Sequence, residues 1–512
     1  MSVVTLHSAA VLGVDAFPVS VEVDVSWGLP TFQIVGLPDG AVRESRDRVR
    51  SAIKNSGYEF PDDRITINLA PADLKKAGSA YDMAVALGIL AASGVLQPER
   101  AGRYMVAAEL GLDGSLRAVR GILPVAALAL EMVRRGEIDG LIVAPDNVRE
   151  AAIVQGLPCS TASHLQQLVQ ALALGRLEAA AVPPAPAEPL PDLVPDFADV
   201  KGQAAARRAL EVAAAGGHNL LMIGPPGSGK SMLAKRLPGI LPPLTFDEAL
   251  VTTKIHSVAG QLSGGGLVTQ RPFRAPHHSI SDAGLIGGGS VPRPGEVSLA
   301  HNGILFLDEL PEFKKQALEV LRQPLEDRCV TISRAALSLT FPARIMLVAA
   351  MNPSPAGGYD APPEVIERYQ SRISGPLLDR IDVQIEVPAV DYDALSTRAA
   401  GESSAEIRAR VLAARQRQYA RFAELPTGFC NADMEPAQIE LHCRIGPEAD
   451  RLLRRAVESL GMSARGYARI LKVARTIADL AAAESLGTAH IAEAIGYRSL
   501  DRSAGGAARR GR

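Results

Sequence analysis

Aromatic side chains make up only 4% of this 512-residue chain, and Trp27 is its single tryptophan. A core so poor in rings has to be packed by aliphatic and small side chains, and the alanine-rich background favours helices that do so. The four cysteines, Cys159, Cys329, Cys430 and Cys443, are scattered and form no CxxC pair. That excludes a disulfide scaffold and a structural zinc site. No stretch reaches the ~20 apolar residues that a membrane-spanning helix requires. The opening MSVVTLHSAAVLGVDAF lacks a basic segment leading into an apolar core, and Asp15 and Glu22 interrupt the early apolar runs. No secretory signal is expected, so the expected localisation is cytoplasmic, with no membrane partner. Net charge is nearly absent too, at −2, which by itself says nothing about nucleic acid.

What is present is 47% hydrophobic and 21% charged, an ordinary soluble composition. At ~150 residues per domain the length predicts about three units. The charge is uneven. From Ala405 onward there are 18 Lys and Arg against 12 Asp and Glu, a local excess of +6 that leaves −8 on the rest. Such an excess is either a solvated helical face with a basic tail or a surface suited to phosphate backbones.

Residues 1–175 mix strand-like runs (Val19–Val25, Phe32–Val35, Ile65–Leu69, Met105–Leu110, Leu141–Ala144) with a charged helical stretch at Arg43–Asn55 and an alanine-rich helix at Ser79–Ser93. This predicts an α+β unit. Residues 176–198 contain AAAVPPAPAEPLPDLVP, whose prolines favour an extended linker. Residues 199–390 alternate apolar runs (Asn219–Ile223, Gly303–Leu307, Arg344–Ala350) with helical segments, the pattern of a parallel sheet flanked by helices. Residues 391–500 read as mostly helical, and 501–512 as a disordered basic tail.

The segment NLLMIGPPGSGKS, Asn219–Ser231, matches G-x-x-x-x-G-K-[ST] between an apolar run and a helix-compatible stretch. Gly224, Gly227 and Gly229 allow a tight turn whose N–H groups, with that of Ser228, face phosphate oxygens. Lys230 can reach the β- and γ-phosphates and the Ser231 hydroxyl can bind Mg2+. Further on, GILFLDEL delivers Asp308 and Glu309 to a strand end, Asp308 for the Mg2+ of bound ATP and Glu309 for the attacking water. A third strand ends in Asn352, a candidate for contacting the γ-phosphate or the water. In SGPLLDRID, Arg380 precedes another strand; it is either a surface ion cluster with Asp379 and Asp382 or a cation that a neighbouring subunit supplies.

These elements in this order resemble AAA+ P-loop ATPases. RPFRAPHHSISDAGLIGGG, PGEVSLAHNGILFLDELPEF, SGPLLDRID and WGLPTFQIVGLPDGAVRESRDRVRSAI resemble the magnesium-chelatase-like ComM/YifB family over nearly the whole chain. The resemblance implies a multidomain α/β protein: a ribosomal-S5-like/Lon-protease-like α+β domain, an AAA+ core and a C-terminal helical lid. It further implies a homo-oligomeric, hexameric ring that uses ATP and Mg2+ for branch migration of single-stranded and branched DNA during recombination of transforming DNA. Asn352 matches sensor 1, Arg380 the arginine finger, and Arg469 in SARGYARILKVARTIADL the sensor 2 arginine, with Arg465 as second choice. Pore insertions are implied at Thr253–Gly289, carrying Lys254, His256, His277 and His278, and at Cys329–Phe341, with Arg334 near a hairpin turn.

The sequence departs from the family's pattern in NPSPAGGYDAPPEV, where an NPCPCG-like segment is usual; no cysteine is left there for a metal or redox role. Ser79 stands where a Lon-like nucleophile would, but SLRAVRGILPVAALAL offers no lysine to accept its proton, so Ser79 is expected to cap a helix and peptidase activity is not expected. Alternatives to a DNA motor are a magnesium-chelatase-type motor subunit and a protein-remodelling ATPase without proteolysis.

Overall fold

In the computed structural model the described residues are 3–182, 194–289, 292–334, 337–390, 401–425 and 428–498. Most of the proline-rich linker, the start of the helical region and the basic tail at 501–512 lie outside them.

Strands that bury every second residue, such as Arg64–Ala70, build part of the first sheet. Its strands are β1 (Val4–Leu12), β2 (Asp15–Ser26), β3 (Thr31–Val35), β4 (Arg64–Ala70), β5 (Tyr104–Ala107), β6 (Gly140–Val143) and β7 (Cys159–Thr161). They lie in the order β3-β4-β2-β1-β5-β6-β7. β1–β2 and β2–β4 pair antiparallel and the rest parallel. Helices α1 (Ser45–Asn55), α2 (Asp82–Ala92) and α4 (Leu165–Leu174) cover one face, and α3 (Ile122–Arg134) the other. α2 is buried all round, and Gly88 lets it touch the sheet: a Cβ there would lie 2.5 Å from Val23 Cγ2. Two expectations need correction. β1 is a strand that the sequence does not announce, because VTLHSAAVL does not alternate cleanly. The helix begins at Asp82, with Tyr81 at its N-cap, because Ser79 turns away to donate to the Glu109 carboxylate.

The second sheet follows α5 (Ala204–Gly216). Its strands are β8 (Leu220–Ile223), β9 (Phe273–Arg274), β10 (Ile304–Leu307), β13 (Met346–Met351) and β14 (Val383–Glu386); the hairpin β11 (Cys329–Arg334)/β12 (Leu337–Pro342) stands apart. The order β9-β10-β13-β8-β14 is parallel throughout. Both faces are covered, which is why these strands read as unbroken apolar runs. Leu220, Met222, Ile304, Phe306 and Val348 enter one core, and Leu221, Ile223, Leu305, Leu307 and Leu347 the other. The first of these cores continues into the C-terminal helices α8 (Ser404–Arg421), α9 (Pro447–Leu460), α10 (Ala464–Leu480) and α11 (Thr488–Gly496). Among the described residues no helix is long and apolar enough to cross a membrane.

α7 (Phe246–Ala259), which precedes β9, is the seat of the first sheet's unit. Ser257 donates its hydroxyl to Glu150, which also accepts the Leu123 N–H at 2.8 Å. Lys254 pairs with Asp15 at 3.3 Å, and a half-buried His256 faces the Leu299 carbonyl at 3.1 Å. Lys254 and His256, expected in a pore insertion, are thus engaged inside the chain. The hairpin at 329–342 forms as expected, but its turn and the Arg334 side chain lie outside the described part.

Burial pushes the Glu150 carboxyl above its usual value, against the hydrogen bonds from Ser257 and Leu123. A raised folded-state pKa means that folding favours the protonated acid. Its contribution is full below the usual glutamate value and is lost as pH rises through the raised one. Glu150→Gln, which keeps the acceptor oxygen without the charge, is expected to gain about 1 kcal/mol relative to the parent at about pH 8 and to lose that gain at about pH 4, read from urea midpoints.

Candidate functional site

β8 ends at Ile223 and the chain turns at once into the glycine loop. The Gly224 N–H donates to Met351 O at 3.2 Å, fixing the loop's start to the end of β13. A Cβ on Gly224 would lie 2.1 Å from the Val387 carbonyl oxygen, so only glycine fits. Gly227 and Gly229 have φ of 77° and 92°, in the left-handed region where a side chain is strained. Gly229 is the N-cap of α6 (Lys230–Arg236). The Lys230 ammonium folds back over the loop, donating to Gly224 O at 2.6 Å, Pro225 O at 2.9 Å and Asn352 Oδ1 at 3.2 Å. Burial pulls its pKa below the usual value, and the charge of Asp308 opposes that pull.

Ser231 Oγ donates to Asp308 Oδ2 at 2.5 Å, so a residue of α6 meets the end of β10. A hydroxyl beside a carboxylate is the hard oxygen set that Mg2+ takes, and these two residues fit it. Asp308 Oδ1 accepts the Glu309 N–H at 3.0 Å, and Glu309 has φ of 53°. That left-handed turn sends two consecutive carboxylates apart: Asp308 inward to Ser231, Glu309 outward, 55% exposed and 3.4 Å from His278 Nδ1. His278 in turn packs on His277, ring centroids 4.1 Å apart. Among the described residues no group of three His, Cys, Asp or Glu is placed to hold a metal ion.

The structure thus brings Gly224–Ser231, Asp308, Glu309 and Asn352 to the carboxyl ends of β8, β10 and β13. It places Arg380 and Arg469 elsewhere. Arg380 precedes β14, and its carbonyl accepts from Asn219 Nδ2 at 2.8 Å, at the start of β8. At ~3.3 Å per residue the four residues of β8 put about 13 Å between that end and the loop. Arg469, on α10, lies with Nε 3.4 Å from Asp382 Oδ1 and Nη1 3.9 Å from Asp379 Oδ1. Arg380 instead pairs with Glu326 and donates to Pro376 O. Arg465, one turn earlier on α10, is exposed.

Both arginines line a cavity of about 270 Å³ whose walls carry seven Arg and Lys against four Asp and Glu. Arg380 Nε, Arg469 Nη1 and Arg415 Nε are buried there without a hydrogen-bond partner. Arg415 and the buried His218 beside this cavity were not singled out from the sequence; nothing in their spacing marks them.

Because Gly224 has no room for a side chain, Gly224→Ala should weaken ATP binding at least tenfold, about 1.4 kcal/mol, with far-UV circular dichroism unchanged. Unaltered affinity in a titration with a fluorescent ATP analogue would show that the loop does not cradle the nucleotide.

Three family descriptions tile the chain. "Subunit ChlI of Mg-chelatase" matches residues 21–147, "Magnesium chelatase, subunit ChlI" residues 196–395, and "Magnesium chelatase, subunit ChlI C-terminal" residues 401–498. The uncharacterized protein YifB of Salmonella typhimurium is 47% identical over 508 residues, 98% of each chain. Competence protein ComM of Haemophilus influenzae is 45% identical over 516 residues, again 98% of each. A more distant likeness, 28% over 165 residues, is to the DNA replication licensing factor mcm7 of Schizosaccharomyces pombe, covering 32% of this chain and 19% of that one. With near-complete coverage at this identity, and all three family descriptions in order, the chain belongs to the ComM/YifB family of magnesium-chelatase-like AAA+ proteins.

Proposed function

We propose that this protein is an ATP-hydrolysing ring motor that remodels DNA, driving branch migration during recombination of transforming DNA. The observation that carries the motor reading is the split site. Phosphate-cradling and water-activating groups sit at one end of the central sheet, and partly unpaired arginines sit at the other. Such a site is completed by a second copy, whose cavity meets the first copy's loop, and repetition of that contact closes a ring; six copies is the size we expect. The DNA reading is supported by the name of the competence relative and by the distant likeness to a replication factor.

In this account the loop N–H groups of Gly227, Ser228 and Gly229 hold the phosphates, and Lys230 exchanges the Gly224 and Pro225 carbonyls for β- and γ-phosphate oxygens. Ser231 and Asp308 would hold Mg2+, which when bound would supply charge neutralisation at the phosphates. Glu309, already turned outward, takes the proton of the attacking water, and Asn352 orients that water. Arg380 and Arg469 of the neighbouring copy meet the charge that develops on the γ-phosphoryl group. Residues 1–175 form the S5-like/Lon-like domain, without peptidase chemistry because Ser79 is bonded to a carboxylate and not to a lysine. Residues 391–500 form the lid.

A second reading, the motor of a metal-insertion complex, draws on the family descriptions. ATP turnover by the purified protein separates the two. With single-stranded, duplex or four-way-junction DNA we expect a several-fold rise in kcat that falls steeply with salt, since each phosphate contact releases counterions. Glu309→Gln should remove about a hundredfold or more with and without DNA. Turnover indifferent to every DNA would keep the ATPase and discard the DNA substrate.

A further inference from the structure

His218 is fully buried, two residues before β8, and both its ring nitrogens are engaged. Nδ1 lies 3.0 Å from Asp382 Oδ2 and Nε2 lies 2.8 Å from Thr476 Oγ1. The other oxygen of Asp382 is the one that faces Arg469 Nε at 3.4 Å. Thr476 and Arg469 share α10, so His218 touches that helix twice, once directly and once through a carboxylate. Its neighbour Asn219 is tied just as closely: its carbonyl accepts the Asp382 and Val383 N–H groups at 3.1 and 3.0 Å, and its Nδ2 donates to Arg380 O. The pair His218–Asn219 therefore holds both arginines to the start of the strand whose far end is the glycine loop. The room for this is specific. At Gly216 a Cβ would fall 2.2 Å from His218 Nε2 and 2.5 Å from Thr476 Oγ1.

Any buried imidazole needs polar partners; what sets His218 apart is that the carboxylate on its Nδ1 is the one that also faces Arg469. We propose that His218 is a positioning residue for the shared site: through Asp382 it sets where one copy presents Arg469 to the nucleotide of the next. This rests on the proposal that Arg469 acts across a subunit boundary.

Two substitutions dissect the contact. In His218→Asn the amide nitrogen stands where Nδ1 stood and keeps the Asp382 bond; in His218→Gln it stands where Nε2 stood and keeps only Thr476. Steady-state ATP turnover should fall roughly ten- to a hundredfold in His218→Gln, as in Arg469→Ala, with KM for ATP within about twofold of the parent. His218→Asn should retain most of the turnover. His218→Gln assembled in equimolar mixture with Glu309→Gln should regain activity, because an intact Glu309 then meets a correctly held Arg469 from the other variant. Arg469→Ala mixed with Glu309→Gln is the reference. If that reference regains activity and the His218→Gln mixture does not, His218 does not act through Arg469. If His218→Asn fails alongside His218→Gln with a matching loss of thermal stability, His218 is only a core residue. If the reference itself regains nothing, the boundary-crossing role of Arg469 fails and this inference falls with it.

Discussion

Strand β8 is the constraint on which the rest of the site depends. Leu220–Ile223 are buried on both faces and hydrogen-bonded on both edges, to β13 and to β14. A strand so enclosed cannot shift its register without moving a whole apolar set to the wrong face. Its carboxyl end therefore has one place to begin the glycine loop, and its amino end one place to receive Arg380 and Asp382. Parallel pairing of Leu220 with Val383 brings the arginine segment to the start of the strand, and parallel pairing of Ile223 with Met351 brings Asn352 to the loop. One register thus gathers the phosphate and water groups at one end and separates the arginines from them.

The same economy governs the insertions. α7 leaves the second sheet's unit and docks against α3 of the first through the buried Glu150–Ser257 contact and the Lys254–Asp15 pair. Val14, in the β1–β2 turn, packs into the core that includes β11 and β12. The first sheet's unit therefore grips both segments that the sequence marks as insertions.

The strand–loop–helix setting of Gly224–Ser231 was legible because it depends on local rules: left-handed glycines, fixed spacing, and an apolar run that must be a strand. Asp308, Glu309 and Asn352 were legible as strand-end residues for the same reason. What was not legible depended on neighbours distant in sequence. Lys254 and His256 read as part of a glycine-rich pore insertion, but their partners Asp15 and Leu299 are set by the fold and not by local spacing. Ser79 read as a helix cap, and a carboxylate thirty residues on, Glu109, draws its hydroxyl away. Arg380 and Arg469 were found individually, yet no spacing in the sequence says that they share a cavity with each other and not with the loop. His218 carries no motif at all; only the fold shows that Asp382 is shared between it and Arg469.

The central claim is that a single copy does not hold a complete site. Its most direct test is ATP turnover per subunit measured across protein concentration, with assembly state followed by sedimentation on the same samples. The account predicts turnover near zero where the protein is monomeric, rising steeply through assembly to a plateau. Turnover per subunit that stays constant down to concentrations at which only monomer sediments would contradict it.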